Sequence, residues 1–169
     1  RDAEQLERWR GPLRAGLSRR GLPDSYLDEA CDHIIELTLR ALNGWGSWLL
    51  APRSWARDEL ALAGWQSDEW VSAIIDRCFE DDQQRCWVVD YKTNAAPSQQ
   101  VSAWLQQQCQ HYDQQLARYV ALMGALRPQN RAIGALYFIA CDALMIRTQH
   151  GWQQAFTHDE ISALTAPAD

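Results

Sequence analysis

The 169-residue chain is 47% hydrophobic and 22% charged, enough apolar material for one globular domain with a core and too little length for two comfortable ones. Its 16 basic and 22 acidic residues leave a formal charge of −6, which excludes holding nucleic acid by long-range attraction alone. No stretch is apolar for long enough to cross a bilayer as a helix, the opening "RDAEQLERWR" has no signal-peptide run, and no membrane role and a cytoplasmic location are the expectation.

From Ala3 to Arg20, Leu6, Trp9, Leu13 and Leu17 recur at helical spacing, predicting one helix that stops at Gly21-Leu22-Pro23. A second begins after Asp24-Ser25, carries Leu27, Cys31, Ile34, Ile35, Thr38 and Leu42, and ends at Asn43-Gly44. The chain therefore opens inside a charged helical pattern, as a fragment of a larger protein would. "GWGSWLLAPRSW" reads as a connection, and its Trp45, Trp48 and Trp55 are candidates for contact with a neighbouring domain. Three runs rich in β-branched and aromatic residues follow, "WARDELALAG", "EWVSAIIDRCFE" and "QRCWVVDYKT", separated by turn-like "GWQSD" and "EDDQQ". They predict an antiparallel meander.

A loop around Ala95-Ala96-Pro97-Ser98 leads to a long helix whose Val101, Trp104, Leu105, Tyr112, Leu116, Tyr119, Val120 and Met123 share one broad face. Arg127-Pro128 ends it. "RAIGALYFIA" is a strand, "ALMIRT" a further candidate, and "HDEISALTAP" a short last helix capped near Thr157 or Asp159. The whole reads as a single domain: a helical lead-in over 1–47, a core over 48–147 and a tail over 148–169. Cys31, Cys78, Cys86, Cys109 and Cys141 are odd in number and form no CxxC pair, so they read as reduced and mostly buried thiols. Nine tryptophans invite a stacking platform for single-stranded DNA, but Trp9, Trp87 and Trp104 sit in apolar patterns and read as core or domain contacts.

Two of the apolar runs end in a carboxylate, Asp76 and Asp90. An ionised aspartate in a half-buried strand costs several kcal/mol unless its charge is offset, so converging acids call for a shared proton or a divalent cation. Lys92 lies two residues past Asp90 and leaves an extended strand on the same face. Such a group can hold Mg²⁺ (or Mn²⁺), activate water and stabilise an anionic phosphate. Taken alone, an Asp-x-Lys pair is an ordinary solvated ion pair. Here Glu59 in "ARDELAL" lies one strand earlier, and Gln115 and Tyr119 in "QQLARY" are four apart on the long helix.

The set "IIDR…WVVDYKT…QLARY" resembles the PD-(D/E)xK nuclease superfamily, in the version at the C-terminus of UvrD/Rep-type superfamily 1 helicases and of the RecB and AddA recombination nucleases. The motifs span roughly Trp48 to Ile139. The resemblance implies an α/β (α+β) fold, a restriction-endonuclease-like core with a mixed central sheet flanked by helices. It implies a metal-dependent, Mg²⁺- or Mn²⁺-using deoxyribonuclease (exonuclease) domain of an ATP-dependent helicase–nuclease in DNA repair or recombination. Single-stranded DNA, motor domains on the same parent chain and a further helicase–nuclease subunit are its implied partners. Asp76 and Asp90 would bind the metal with the backbone carbonyl of Tyr91, and Lys92 would orient or activate the attacking water. Gln115 and Tyr119 would position Lys92 and contact the DNA backbone. Glu59 would be the upstream acid. Apart from the resemblance, Arg53, Arg57, Arg77 and Arg85 flank the motif strands and could line a path for phosphates, with Arg77 the candidate DNA contact, although solvated arginines are the commoner explanation.

One departure stands out. The helicase-linked members carry a "GxxxH" histidine on an early helix, and His33 in "CDHIIEL" has the wrong surroundings. Either that ligand precedes Arg1 or this branch lacks it. The missing ligand and the acidic charge leave open a second reading, a nuclease-fold module that only binds DNA or docks to the motor.

Overall fold

The computed structural model describes residues 2–66, 68–97 and 99–166. The expected turn at "GWQSD" includes Ser67, the expected loop includes Ser98, and the expected tail includes residues 167–169; these positions lie outside the described residues. Two compact units, Arg1–Leu50 and Ala51–Asp169, make up the chain.

The first unit is helical: α1 (Asp2–Glu7), α2 (Arg10–Arg19), α3 (Asp24–Leu42) and α4 (Gly44–Leu49). The single helix expected over Ala3–Arg20 is broken at Arg8-Trp9. Pro12 is the physical reason: it has no N–H to give to the Arg8 carbonyl, and its ring would strike that carbonyl in a continuous helix. The chain restarts so that Pro12 falls in the first turn of α2, whose Leu13 N–H donates to the Trp9 carbonyl at 2.8 Å. Trp9 is left exposed rather than in a core. In α3, Leu27, Cys31 and Ile35 form the buried stripe, spaced by fours. α4 occupies the expected connection, and Trp45 and Trp48 meet edge to face within it, centroids 6.3 Å apart.

The second unit is a six-stranded sheet in sequence order: β1 (Ala56–Gln66), β2 (Glu69–Glu80), β3 (Cys86–Lys92), β4 (Ala132–Phe138), β5 (Ala143–Thr148) and β6 (Gly151–Ala155). All neighbours are antiparallel except β3 and β4. Parallel strands need a crossover, and α5 (Val101–Leu126) supplies it. α6 (His158–Leu164) follows, with Thr157 Oγ1 accepting the Glu160 N–H as its cap. The result is a mixed sheet flanked by helices, the restriction-endonuclease-like architecture. β6 was not expected: "GWQQA" has little strand character of its own, and a two-residue turn that places Gly151 at φ 100° folds it back on β5.

Leu105, Cys109, Leu116 and Met123 of α5 are buried against Cys86 and Val88 of β3, Leu136 and Phe138 of β4 and Met145 of β5. The helix comes down onto β4 at Gly134, where a Cβ would stand 2.9 Å from methyls of Leu116 and Val120. Ile75 and Cys78 of β2 belong to the same cluster although strict alternation would put them on opposite faces. The exchange of faces coincides with Glu59, which has φ 51° and drops out of the β1–β2 ladder between Asp58↔Arg77 and Leu60↔Ile75. Asp76 is its opposite number in that register.

The β2–β3 turn is locked by Asp81. Its carboxylate accepts from Trp87 Nε1 (2.8 Å), Arg85 Nε (2.7 Å) and the backbone N–H groups of Gln83 and Arg85. Burial pushes its pKa up, but the indole N–H and the Arg85 bonds more than offset that and hold it below the usual value. Asp81→Ala is expected to cost about 3 kcal/mol in urea denaturation, since it removes the charge partner of Arg85, leaving it the Thr165 hydroxyl, and strands the Trp87 N–H. A lowered folded-state pKa means that the stabilisation is present above the unfolded-state pKa and lost as pH falls through the folded one. The variant is therefore expected to show a flatter acid limb in its stability profile.

Candidate active site

The β2–β3 ladder runs from Glu80↔Cys86 to Arg77↔Val89 and stops there. One step further in the same register Asp76 faces Asp90, so the two acids meet where the strands part. The Tyr91 N–H, which has lost its strand partner, donates to Asp76 Oδ2 at 2.7 Å. Asp76 is half-buried and Asp90 is 5% exposed.

Burial pushes the Asp90 carboxyl above its ordinary pKa; the Lys92 ammonium pulls it down, and the Asp76 charge pushes it up again. Lys92 Nζ lies 2.5 Å from Asp90 Oδ2, with the two side chains 13% and 7% exposed. No other donor reaches that oxygen among the described residues. On its other side Lys92 Nζ stands 3.7 Å from the centroid of the Tyr112 ring. Lys92 is the chain's only lysine; the other 15 of its 16 basic residues are arginines.

This donor set suits a small hard cation. It offers two carboxylates, and one of them, Asp90, is buried with a single partner and disfavoured in its charged form by burial and by Asp76. The Tyr91 carbonyl leaves the strand on the same side as its N–H, into the gap where β2 has ended, so a main-chain oxygen can join them. Burial pushes the Tyr91 phenol up to about 12, and its ring packs edge to face on Tyr137.

The remaining predicted residues are placed differently. Glu59 is in register with Asp76 but exposed, and no cluster of three His, Cys, Asp or Glu suited to a metal occurs among the described residues. Arg77 corrects the phosphate-path expectation: it is 6% exposed, and its guanidinium donates to Asp58 Oδ1 at 2.7 Å and to the Ala51 carbonyl. Arg85 is likewise engaged by Asp81. Trp55 packs beneath the Arg127 guanidinium, 4.1 Å from it. His33 is exposed on α3.

Gln115 Nε2 donates to the Tyr119 hydroxyl at 2.7 Å, and neither residue hydrogen-bonds Lys92 among the described residues. The residue of α5 that touches Lys92 is Tyr112. Sequence reading had it only as part of the helix's apolar face, though its spacing from Gln115 and Tyr119, three and seven residues, puts all of them on one flank.

A family model, the PD-(D/E)XK nuclease superfamily, matches residues 1–167. The chain belongs to that superfamily. No curated protein matches it. As a PD-(D/E)XK nuclease it belongs to a group that generally uses divalent metal ions and hydrolyses nucleic acid. Millimolar Mg²⁺ is expected to raise the thermal midpoint, by about 1.4 kcal/mol of added stability at ten times the dissociation constant. Asp76→Asn and Asp90→Asn are expected to abolish that increment; calorimetry with and without EDTA measures it.

Proposed function

We propose that this chain is the Mg²⁺- or Mn²⁺-dependent deoxyribonuclease domain of a UvrD/Rep-type helicase–nuclease, cutting single-stranded DNA, from its ends, in cytoplasmic repair or recombination. The observation that carries the proposal is the Asp90–Lys92 pair facing Asp76 where the β2–β3 ladder stops. The likeness of "IDR", "DYKT" and "QLxxY" to the helicase-linked branch supports the motor connection. So does the charge of −6, because a nuclease fed by a motor need not capture DNA unaided.

In this reading Asp76, Asp90 and the Tyr91 carbonyl hold the cation. The bound ion supplies a polarised phosphate and a more acidic water. Lys92 stands two residues from Asp90 on the same strand face, where its ammonium orients that water and offsets phosphate charge. Asp90 keeps the ammonium at the site, and the α5 flank with Gln115 and Tyr119 borders it. The Tyr119 hydroxyl accepts from Gln115, so its own proton remains available for a phosphate oxygen.

The test is cleavage of end-labelled single-stranded DNA in Mg²⁺ or Mn²⁺. Lys92→Ala and Asp90→Ala are expected to lower the rate about a hundred- to a thousandfold. Lys92→Arg should not restore it, because a planar guanidinium cannot occupy the place of a compact ammonium. If the folded wild-type chain shows no cutting that these variants abolish, the catalytic proposal fails and a DNA-binding or docking module takes its place. ATP-dependent cutting by the parent chain checks the motor connection.

A further inference from the structure

We propose that Tyr112 is a positioning residue for Lys92: its ring face is a second seat that keeps the ammonium at the mouth of the β2–β3 gap while Asp90 serves the metal. The proposal rests on the nuclease reading for its catalytic consequence and on geometry alone for the seat. Lys92 Nζ has one carboxylate partner, Asp90 Oδ2 at 2.5 Å, and one ring, Tyr112 at 3.7 Å to the centroid. That ring distance is well inside cation–π range, and the Lys92 side chain is only 13% exposed, while Tyr112 is half-buried.

The two partners differ in what they leave free. A carboxylate draws the ammonium onto an oxygen that the cation also needs. A ring face attracts the charge without claiming a particular N–H, so the donors stay available for water and phosphate. With an aliphatic residue in place of Tyr112, Asp90 alone would hold Lys92, and lysine and metal would compete for the same oxygen.

The sequence and packing support use of the ring rather than the hydroxyl. Tyr112 packs against the core cluster from the flank of α5 that also carries Gln115 and Tyr119. Its hydroxyl makes no hydrogen bond among the described residues, and His111 meets the ring edge to face at 4.7 Å. One turn further along α5, Leu116 packs closely over Gly134 of β4, 2.9 Å from where a Cβ would stand.

Because the chain has a single lysine, [¹³C]lysine labelling gives one ε-methylene signal. In the metal-free protein that signal is expected upfield of a free lysine, shielded by the ring. It should stay there in Tyr112→Phe and return to the free position in Tyr112→Leu. In the cleavage assay Tyr112→Leu is expected to lower kcat about tenfold with KM within about twofold, and Tyr112→Phe to retain wild-type kcat. Should the leucine variant not fold, Tyr112→Met, which keeps length without a ring face, replaces it in both arms. An unshifted wild-type signal, or equal kcat in the phenylalanine and leucine variants, overturns the proposal. A shifted signal in a chain that cuts no DNA would leave the seat in place and sink the nuclease reading instead.

Discussion

The Tyr91 backbone N–H must find an acceptor at the point where β2 leaves β3, and Asp76 Oδ2 is the one it finds. A buried main-chain donor left unpaired costs on the order of 1 to 3 kcal/mol, so this bond has a structural reason of its own. It also decides where the charge goes. With one Asp76 oxygen bound to the strand end, the carboxylate is fixed beside Asp90, and the gap between strands becomes a place lined with oxygen. The unladdered Glu59 across β1 belongs to the same break, because both strands of the hairpin exchange faces there.

Charge balance follows from that geometry. Asp90 is a buried acid whose ionised form is penalised by burial and by Asp76, and it is made tolerable by a single ammonium. An arginine would spread its charge over a plane and form fixed two-pronged bonds; a lysine concentrates it at one movable point. The chain uses arginine for its ion pairs elsewhere, as at Asp58–Arg77 and Asp113–Arg147, and lysine only here. Arginine pairs sit in the scaffold, whereas the candidate site carries the single lysine, between a carboxylate and a ring.

Much of this was legible in the chain itself. Strand-length apolar runs gave β1 to β5, a single broad apolar face gave α5, and the spacing of Asp90 and Lys92 put them on one strand face. What failed did so for physical reasons. Pro12 breaks the first helix through a clash four residues back, which hydrophobic spacing does not register. β6 depends on its neighbour for strand character. Arg77 looked like a phosphate ligand because a sequence shows its charge but not its burial against Asp58. Tyr112 was seen only as an apolar position, since the contact that gives it meaning comes from a strand twenty residues earlier. The alternation rule itself lapses at Glu59 and Asp76, where the hairpin changes faces, so the outlier in the pattern coincides with the candidate site.

Gly134 gives the site a dependence on an atom that is not there. The residue touches neither acid nor the lysine, yet the helix that carries Tyr112, Gln115 and Tyr119 rests over its bare Cα. A Cβ at that position would press on the Leu116 and Val120 side chains, which would have to give way where α5 meets the sheet. The seating of the helix beside the candidate site thus involves a position that carries no polar group of its own.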